Sequence, residues 1–217
     1  MIIGGPALTK YNDRTIRNLT TAPASVTSAP GALVHIKTLT ASSSSTLSFV
    51  DGASSVVLDS TYPIYKFEFI NIHPATDDKA FSFQANASGG SGYNETITST
   101  QFQAYHREDD GAAALNYNSG SDQAQGTSFQ DISGLLSNDN DASASGELFI
   151  YNPSSTTFVK HFMSKFQDME AGTSKVSVQL YTAGYFNTTS AIDEFQFKMS
   201  SGNIDSGTIK LYGIKDS

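Results

Sequence analysis

Few side chains in this 217-residue sequence are spaced as a catalytic or metal site requires. There is no cysteine, which excludes thiolate metal ligands, disulfides and cysteine nucleophiles. The stretch 88–92 reads Ser-Gly-Gly-Ser-Gly and lacks the Gly-x-Ser-x-Gly order of a nucleophile elbow. The four histidines form no local metal pair, and they are His35, His73, His106 and His161. We therefore predict no catalytic residue, no metal centre and no cofactor.

Carboxylates are the other groups to consider, because glycoside hydrolases use a pair of them. Glu68 belongs to an alternating strand pattern and should point outward, whereas Glu147 and Glu194 should flank strands. We expect all three glutamates on solvated faces and predict that the chain is not an enzyme. A glycoside hydrolase ranks below the two binding functions given at the end of this subsection. The run 138–141 offers oxygen ligands for calcium but lacks the glycine and distal glutamate of an EF-hand loop, and we predict a polar turn.

The sequence pattern predicts that β-strands position the histidine and carboxylate side chains. Apolar and polar residues alternate in 65–69, in 195–199 and in 208–213, and a period of two is typical of half-buried antiparallel strands. The composition agrees, since the chain has 14 Phe and 10 Tyr and aromatic residues favour pleated sheets. About eight to ten such segments, separated by turn residues, predict a sandwich or a barrel.

Two segments fit this pattern less well. In 158–166, phenylalanine recurs every four residues, which suits a helix face as well as one side of a strand. The β-branched and aromatic residues at its start favour the strand. Residues 107–145 are polar, and we expect one long excursion or two irregular strands there. Long connections favour Greek-key crossings.

The predicted fold is therefore all-β, a jelly-roll-like antiparallel β-sandwich formed as a single domain by residues 32–217. An immunoglobulin-like sandwich is the second choice, because its Cys–Trp–Cys core is absent from this sequence.

Residues 1–31 differ from the rest of the chain. They contain three prolines, no sustained alternation and a small basic cluster. We interpret them as an extended N-terminal arm, with Tyr11, Arg14 and Arg17 as candidate docking residues. A chain terminus without a binding role is the alternative.

Charge and hydropathy narrow the range of partners. The net charge of −8 argues against nucleic acid, which is bound through lysine and arginine. No apolar run approaches the roughly 18 residues of a membrane span, so we expect no membrane contact. The first residues lack a basic region followed by an apolar core, and we expect no signal peptide.

The C-terminal residues 201–214 read Ser-Gly-Asn-Ile-Asp-Ser-Gly-Thr-Ile-Lys-Leu-Tyr-Gly-Ile. With several upstream stretches they resemble a family of virion structural proteins from marine bacteriophages, of the kind that infect cyanobacteria and related ocean bacteria. The similarity covers about residues 32–217, and the resemblance implies no catalytic residue. The upstream stretches are 65–67, 73–77, 105–106, 152–157, 184–185 and 189–192, together with Phe195, Phe197 and Ser200.

From this resemblance we predict an accessory virion structural protein, assembled in the host cytoplasm, that decorates or cements the capsid. We expect it to form a homo-oligomer, with a trimer as the first expectation, and to contact the major capsid protein or other virion proteins. The alternative is a tail or head fibre or spike tip that binds host-surface glycans. Its candidate glycan contacts are Tyr93, Tyr105, Tyr117 and Tyr185.

Overall fold

The computed structural model describes residues 31–172 and 174–216, and within these ranges the fold is all-β. The candidate docking residues Tyr11, Arg14 and Arg17 lie outside the described residues. The thirteen strands are β1 Leu33–Ser44, β2 Leu47–Val50, β3 Ile64–Pro74, β4 Phe81–Ala87, β5 Ile97–Arg107, β6 Ala113–Tyr117, β7 Ala124–Gly126, β8 Gln130–Asp131, β9 Ala144–Tyr151, β10 Lys160–Glu170, β11 Val176–Phe186, β12 Ile192–Met199 and β13 Ile204–Ile214.

The strands form two antiparallel sheets of unequal size. The large sheet has the order β1-β13-β3-β9-β10-β11-β5-β6, with β7 also pairing to β5, and the small sheet has the order β2-β12-β4-β8. The chain passes from one sheet to the other repeatedly, because β2, β4, β8 and β12 each follow and precede strands of the large sheet. This winding is the antiparallel sandwich that the sequence predicted, and it is consistent with a jelly roll.

Phenylalanine fills the space between the sheets. Ten of the 14 phenylalanines are at most 1% exposed, and their rings meet mostly edge to face. Phe67 of the large sheet lies 5.0 Å from Phe197 of the small one, and Phe83 lies 5.1 Å from Phe162. Each buried ring contributes about 2–3 kcal/mol by leaving water, and edge-to-face pairs add about 1 kcal/mol.

The segments that sequence reasoning left open are now resolved. Residues 160–170 form a strand, which confirms the preference for strand over helix, and Phe162 and Phe166 point into the core. The excursion at 107–145 contains three short strands, β6 to β8, and the start of β9. The polar tract after Thr40 continues β1 as far as Ser44, and Val56–Leu58 forms no strand although Val56 and Leu58 are buried.

The two C-terminal strands lie in different sheets. β12 pairs with β2 and β4, and β13 pairs with β1 and β3, so the turn at 200–203 carries the chain from the small sheet to the large one. The predicted faces of β13 are confirmed, since Ile209, Leu211 and Gly213 are buried and the residues between them are half-buried.

The glycines of the C-terminal motif have structural roles. Gly207 lies at a β-bulge where β13 shifts its register against β3, and its φ is +128°. A Cβ atom there would lie 2.8 Å from the carbonyl oxygen of Asn71 and 2.9 Å from Cα of Ile72. At Gly213 the ring of Tyr62 occupies the space that a side chain would need. The motif therefore specifies how β13 packs and carries no reactive group.

Replacing Gly207 by alanine should destabilise the fold by about 1–3 kcal/mol, because the backbone conformation and the close contacts both disfavour a Cβ atom. Urea denaturation followed by circular dichroism measures the change. Gly120→Ala is the matched control, since a Cβ atom at Gly120 meets nothing within 4 Å. Equal stability of the two variants would contradict the role assigned to Gly207.

Candidate interaction surface

The side of the large sheet that faces away from the small sheet is rich in aromatic and apolar side chains. We call it the outer face. Strand register places its side chains in rows across the sheet, because residues directly opposite on neighbouring antiparallel strands share a face. The first row, from β1 outward, is Leu33, Ile214, Ile64, Tyr151, His161, Tyr185 and Thr98. The second row is His35, Tyr212, Lys66, Phe149, Met163, Ala183 and Thr100. The third row is Thr38, Lys210, Glu68, Glu147, Lys165, Tyr181, Phe102 and Tyr117.

The first two rows make one end of the outer face predominantly apolar. Met163 is 55% exposed and lies between Phe149 on β9 and Ala183 on β11. Leu33, at the sheet edge, is 53% exposed. Exposed apolar side chains that adjoin one another, rather than occurring singly, mark an interaction site.

A shallow depression of about 300 Å³ interrupts this apolar end. It forms because Thr98, Thr100 and Ala183 are small, while Met163 and the rings of His161 and Tyr185 rise on its borders. The two rings lie 6.0 Å apart in an edge-on arrangement. A protruding apolar side chain of a partner would fit here.

A network of charges occupies the middle of the outer face. Nζ of Lys66 lies 3.0 Å from Glu147 and 3.8 Å from Glu68, and Lys165 lies 3.8 Å from Glu147. The two glutamates are directly opposite on β3 and β9, so the lysine between them offsets their repulsion. The expectation that Glu68 points outward is confirmed. The expectation that Glu147 and Glu194 flank strands is wrong, because both lie within strands, β9 and β12.

A second aromatic group lies where the outer face reaches β6. The rings of Phe102 and Tyr181 stack with their centroids 5.0 Å apart, and Tyr117 is directly opposite Phe102. Leu115, the next outward residue of β6, is 73% exposed. The outer face therefore has apolar groups on both sides of its charged network.

The four candidate glycan contacts do not lie together. Tyr117 and Tyr185 are both on the outer face, but they are separated by β5 and by four residues along it. Tyr105 lies on the opposite face of β5, and Tyr93 precedes that strand and donates a hydrogen bond to Glu194 of the small sheet, 2.9 Å away. The structure thus assigns these tyrosines to at least three places.

The histidines and the acidic turn have protein partners. Nε2 of His73 lies 3.1 Å from the carbonyl oxygen of Asp139, and His106 lies 3.0 Å from Asp110. Asp139, in the acidic run 138–141, forms an ion pair with Lys175. No group of three or more potential metal ligands comes together among the residues that the structure describes.

The outer face could have been found in part from sequence. Both sides of the β10 pattern carry apolar residues, since Met163 lies on one side and Phe162 and Phe166 lie on the other. A strand with apolar groups on both faces needs a second covering layer or a partner. The contributions of Phe102, Phe149 and Tyr181 depend on strand order, which the sequence pattern does not give.

The body also holds two carboxyl groups, the buried Asp168 and the half-buried Asp131, that lack a cationic partner among the described residues. Asp168 is 2% exposed, and its Oδ2 accepts a hydrogen bond of 2.7 Å from the backbone N–H of Gly134, while its Oδ1 has no partner in the described part of the chain. Burial raises the pKa of Asp168 to about 7. Burial likewise raises the pKa of Asp131 to about 6.

The chain matches no protein-family model, and no curated protein or solved structure is significantly similar to it. The resemblance to virion proteins therefore stays a prediction from the sequence motif. Within residues 31–172 and 174–216 there is no helix long and apolar enough to cross a bilayer.

Asp168 should make stability depend on pH. Its raised pKa means that the folded state binds more protons than the unfolded state between about pH 4 and pH 7, so the free energy of unfolding falls as pH rises through this window. In Asp168→Asn this fall should be shallower by up to about 1.4 kcal/mol per pH unit. Urea titrations at several pH values measure it. Asp110→Asn, at a side chain that is 93% exposed, is the control; identical slopes in wild type and Asp168→Asn would contradict the assignment.

Proposed function

We propose that this chain is a bacteriophage virion structural protein that decorates or cements the capsid by packing against copies of itself and against the shell. The observation that carries the proposal is the apolar outer face of the large sheet. The resemblance of residues 201–214 to virion proteins supports the same class. The mechanism is mechanical, so its requirements are a rigid body and adhesive surfaces rather than reactive groups.

The size of the outer face suits a subunit interface. Eight strand positions at a spacing of about 4.8 Å and strands about 35 Å long give a face on the order of 1,400 Å². A stable interface needs about 800 Å² from each partner. The apolar end could therefore be buried between two copies while the charged network and the β6 end lie at the rim, where polar groups are tolerated.

Symmetry also favours self-association. A closed homo-oligomer covers the same patch on every subunit, and it removes exposed sheet edges from solvent. The large sheet ends in β1 on one side and in β6 and β7 on the other, and within the described residues each of these strands pairs on one side only. A trimer that joins such edges is the first oligomer to consider.

The N-terminal segment would supply contact to the shell. Residues 1–31 contain three basic residues and one acidic residue, whereas the remainder contains 10 basic and 20 acidic residues. An acidic body is repelled by an acidic shell, so the basic segment with Arg14 and Arg17 is the better docking element. About 30 residues of extended chain span up to about 100 Å.

A charge placed in the apolar end should disrupt self-association. In Met163→Glu we expect the dissociation constant of the homo-oligomer to rise about a hundredfold, because an unpaired carboxylate would be buried in the interface. Sedimentation velocity over a concentration series measures it. Gln167→Glu, on the same strand and face but beyond the charged network, should have little effect. A wild-type chain that stays monomeric, or equal effects of both variants, would exclude this interface.

Deleting residues 1–30 should abolish binding to particles while the body stays folded. The measurement is the copy number on purified particles, with circular dichroism as the check on folding. Arg14→Ala with Arg17→Ala should lower occupancy, and Arg14→Lys with Arg17→Lys should retain most of it because the charge is kept. Unchanged occupancy after the deletion would reject the docking role.

A further inference from the structure

A polar groove lies on the opposite side of β5 from the outer face, where the small sheet ends. β8 is only two residues long, so the inner side of β5 beyond Gln101 is incompletely covered. A depression of about 490 Å³ lies there between β5, residues 117–121 and residues 131–135, with Glu170 at one end. A second depression of about 390 Å³ shares Gly120, Ser121 and Asp131 with it. The two depressions adjoin at these shared residues, and we call them together the groove.

Buried glutamines hold the walls of this groove. Nε2 of Gln101 donates to the carbonyl oxygen of Asp131 at 2.8 Å and to the hydroxyl of Thr182 at 3.0 Å. Gln130 donates to the carbonyl oxygen of Ser121 at 2.8 Å and accepts from the hydroxyl of Ser99 at 2.6 Å. Gln101 and Gln130 are at most 1% exposed. A groove fixed in this way needs little ordering when a ligand binds.

Several polar groups in the groove are left without a partner among the described residues. Asn118 donates to Oε1 of Gln103 at 2.8 Å, which leaves Nε2 of Gln103 and Oδ1 of Asn118 unused. Within residues 31–172 and 174–216, the carboxylate of Asp131 has neither a hydrogen bond nor an ion pair, and one oxygen of Glu170 accepts only a long bond of 3.3 Å from the backbone N–H of Leu135. Acceptors therefore outnumber donors, so a complementary ligand must bring hydroxyl or amine hydrogens.

The groove also offers apolar surface for the carbon face of a ring. Leu135 lines the larger depression, and its side chain is 48% exposed. An anionic ligand would be repelled by Asp131 and Glu170. A bound metal ion is disfavoured because no three potential ligands converge among the described residues. A combination of carboxylates, amides and apolar surface suits sugar hydroxyls and ring carbons.

We propose that this groove binds an uncharged, hydroxyl-rich carbohydrate chain, with Asp131 and Glu170 accepting from sugar hydroxyls, Gln103 donating, and Leu135 contacting ring carbons. The length of the groove, which extends past Asp131 into the second depression, favours an oligosaccharide over a monosaccharide. The site uses a different side of the body from the outer face, so the inference does not rest on the proposed role in the virion.

The test is a titration of the full chain with neutral hexasaccharides, namely maltohexaose, cellohexaose and chitohexaose, followed by amide NMR shifts. A heparin hexasaccharide serves as the anionic comparison. At least one neutral probe should bind with a dissociation constant below about 1 mM, with shifts at residues 101–103, 117–121 and 131–135. Gln103→Ala and Asp131→Asn should each weaken binding by about tenfold or more, because each removes a hydrogen bond in a partly buried site.

Gln179→Ala is the matched control, since Gln179 is a half-buried amide on the outer face of β11. Its affinity for the same probe should equal that of the wild type. Absence of binding by every neutral probe, binding of the heparin probe alone, or equal affinity in Gln103→Ala would overturn the proposal. If Asp131→Asn does not fold, Gln103→Ala decides the outcome. None of these results bears on self-association, which is measured separately with Met163→Glu.

Discussion

The phenylalanine layer between the two sheets is the interaction on which the rest of the structure depends. Phe67 and Phe69 of β3 meet Phe197 of β12 at 5.0 and 5.2 Å, and Phe69 also meets Phe166 of β10. These rings pack central strands of the large sheet against central strands of the small sheet. Since the chain has no cysteine to form disulfides, this burial provides the main driving force for folding.

The unequal size of the sheets determines where the surface remains open. Eight strand positions in one sheet cannot be covered by four in the other. The small sheet therefore covers the phenylalanine layer and leaves the inner side of β5 partly open, which creates the polar groove. The outer face has no covering layer within the described residues, and its aromatic side chains are half-buried or exposed. The apolar outer face and the polar groove thus both follow from the unequal number of strands in the two sheets.

Polar residues in this fold are used to fix loops rather than to react. Gln84 is fully buried and donates hydrogen bonds to the carbonyl oxygens of Glu95, Thr127 and Ser128, which anchors two loops on the back of β4. Asp168 anchors Gly134 by accepting a hydrogen bond from its backbone N–H. Buried amides satisfied by backbone partners are rigid, and rigidity is what both a packing surface and a preformed groove require.

The sequence by itself determined the fold class and most strands, because alternation with a period of two is a local property that survives any arrangement of the sheets. It also determined that β13 buries Ile209 and Leu211. The sequence did not determine that β12 and β13 belong to different sheets, that Glu68 and Glu147 are directly opposite, or that the four candidate tyrosines are separated. Those relations depend on strand order and register between segments far apart in the chain. Only the tertiary structure fixes them, since a residue's neighbours across a sheet are chosen by packing of the whole core and not by its own flanking sequence.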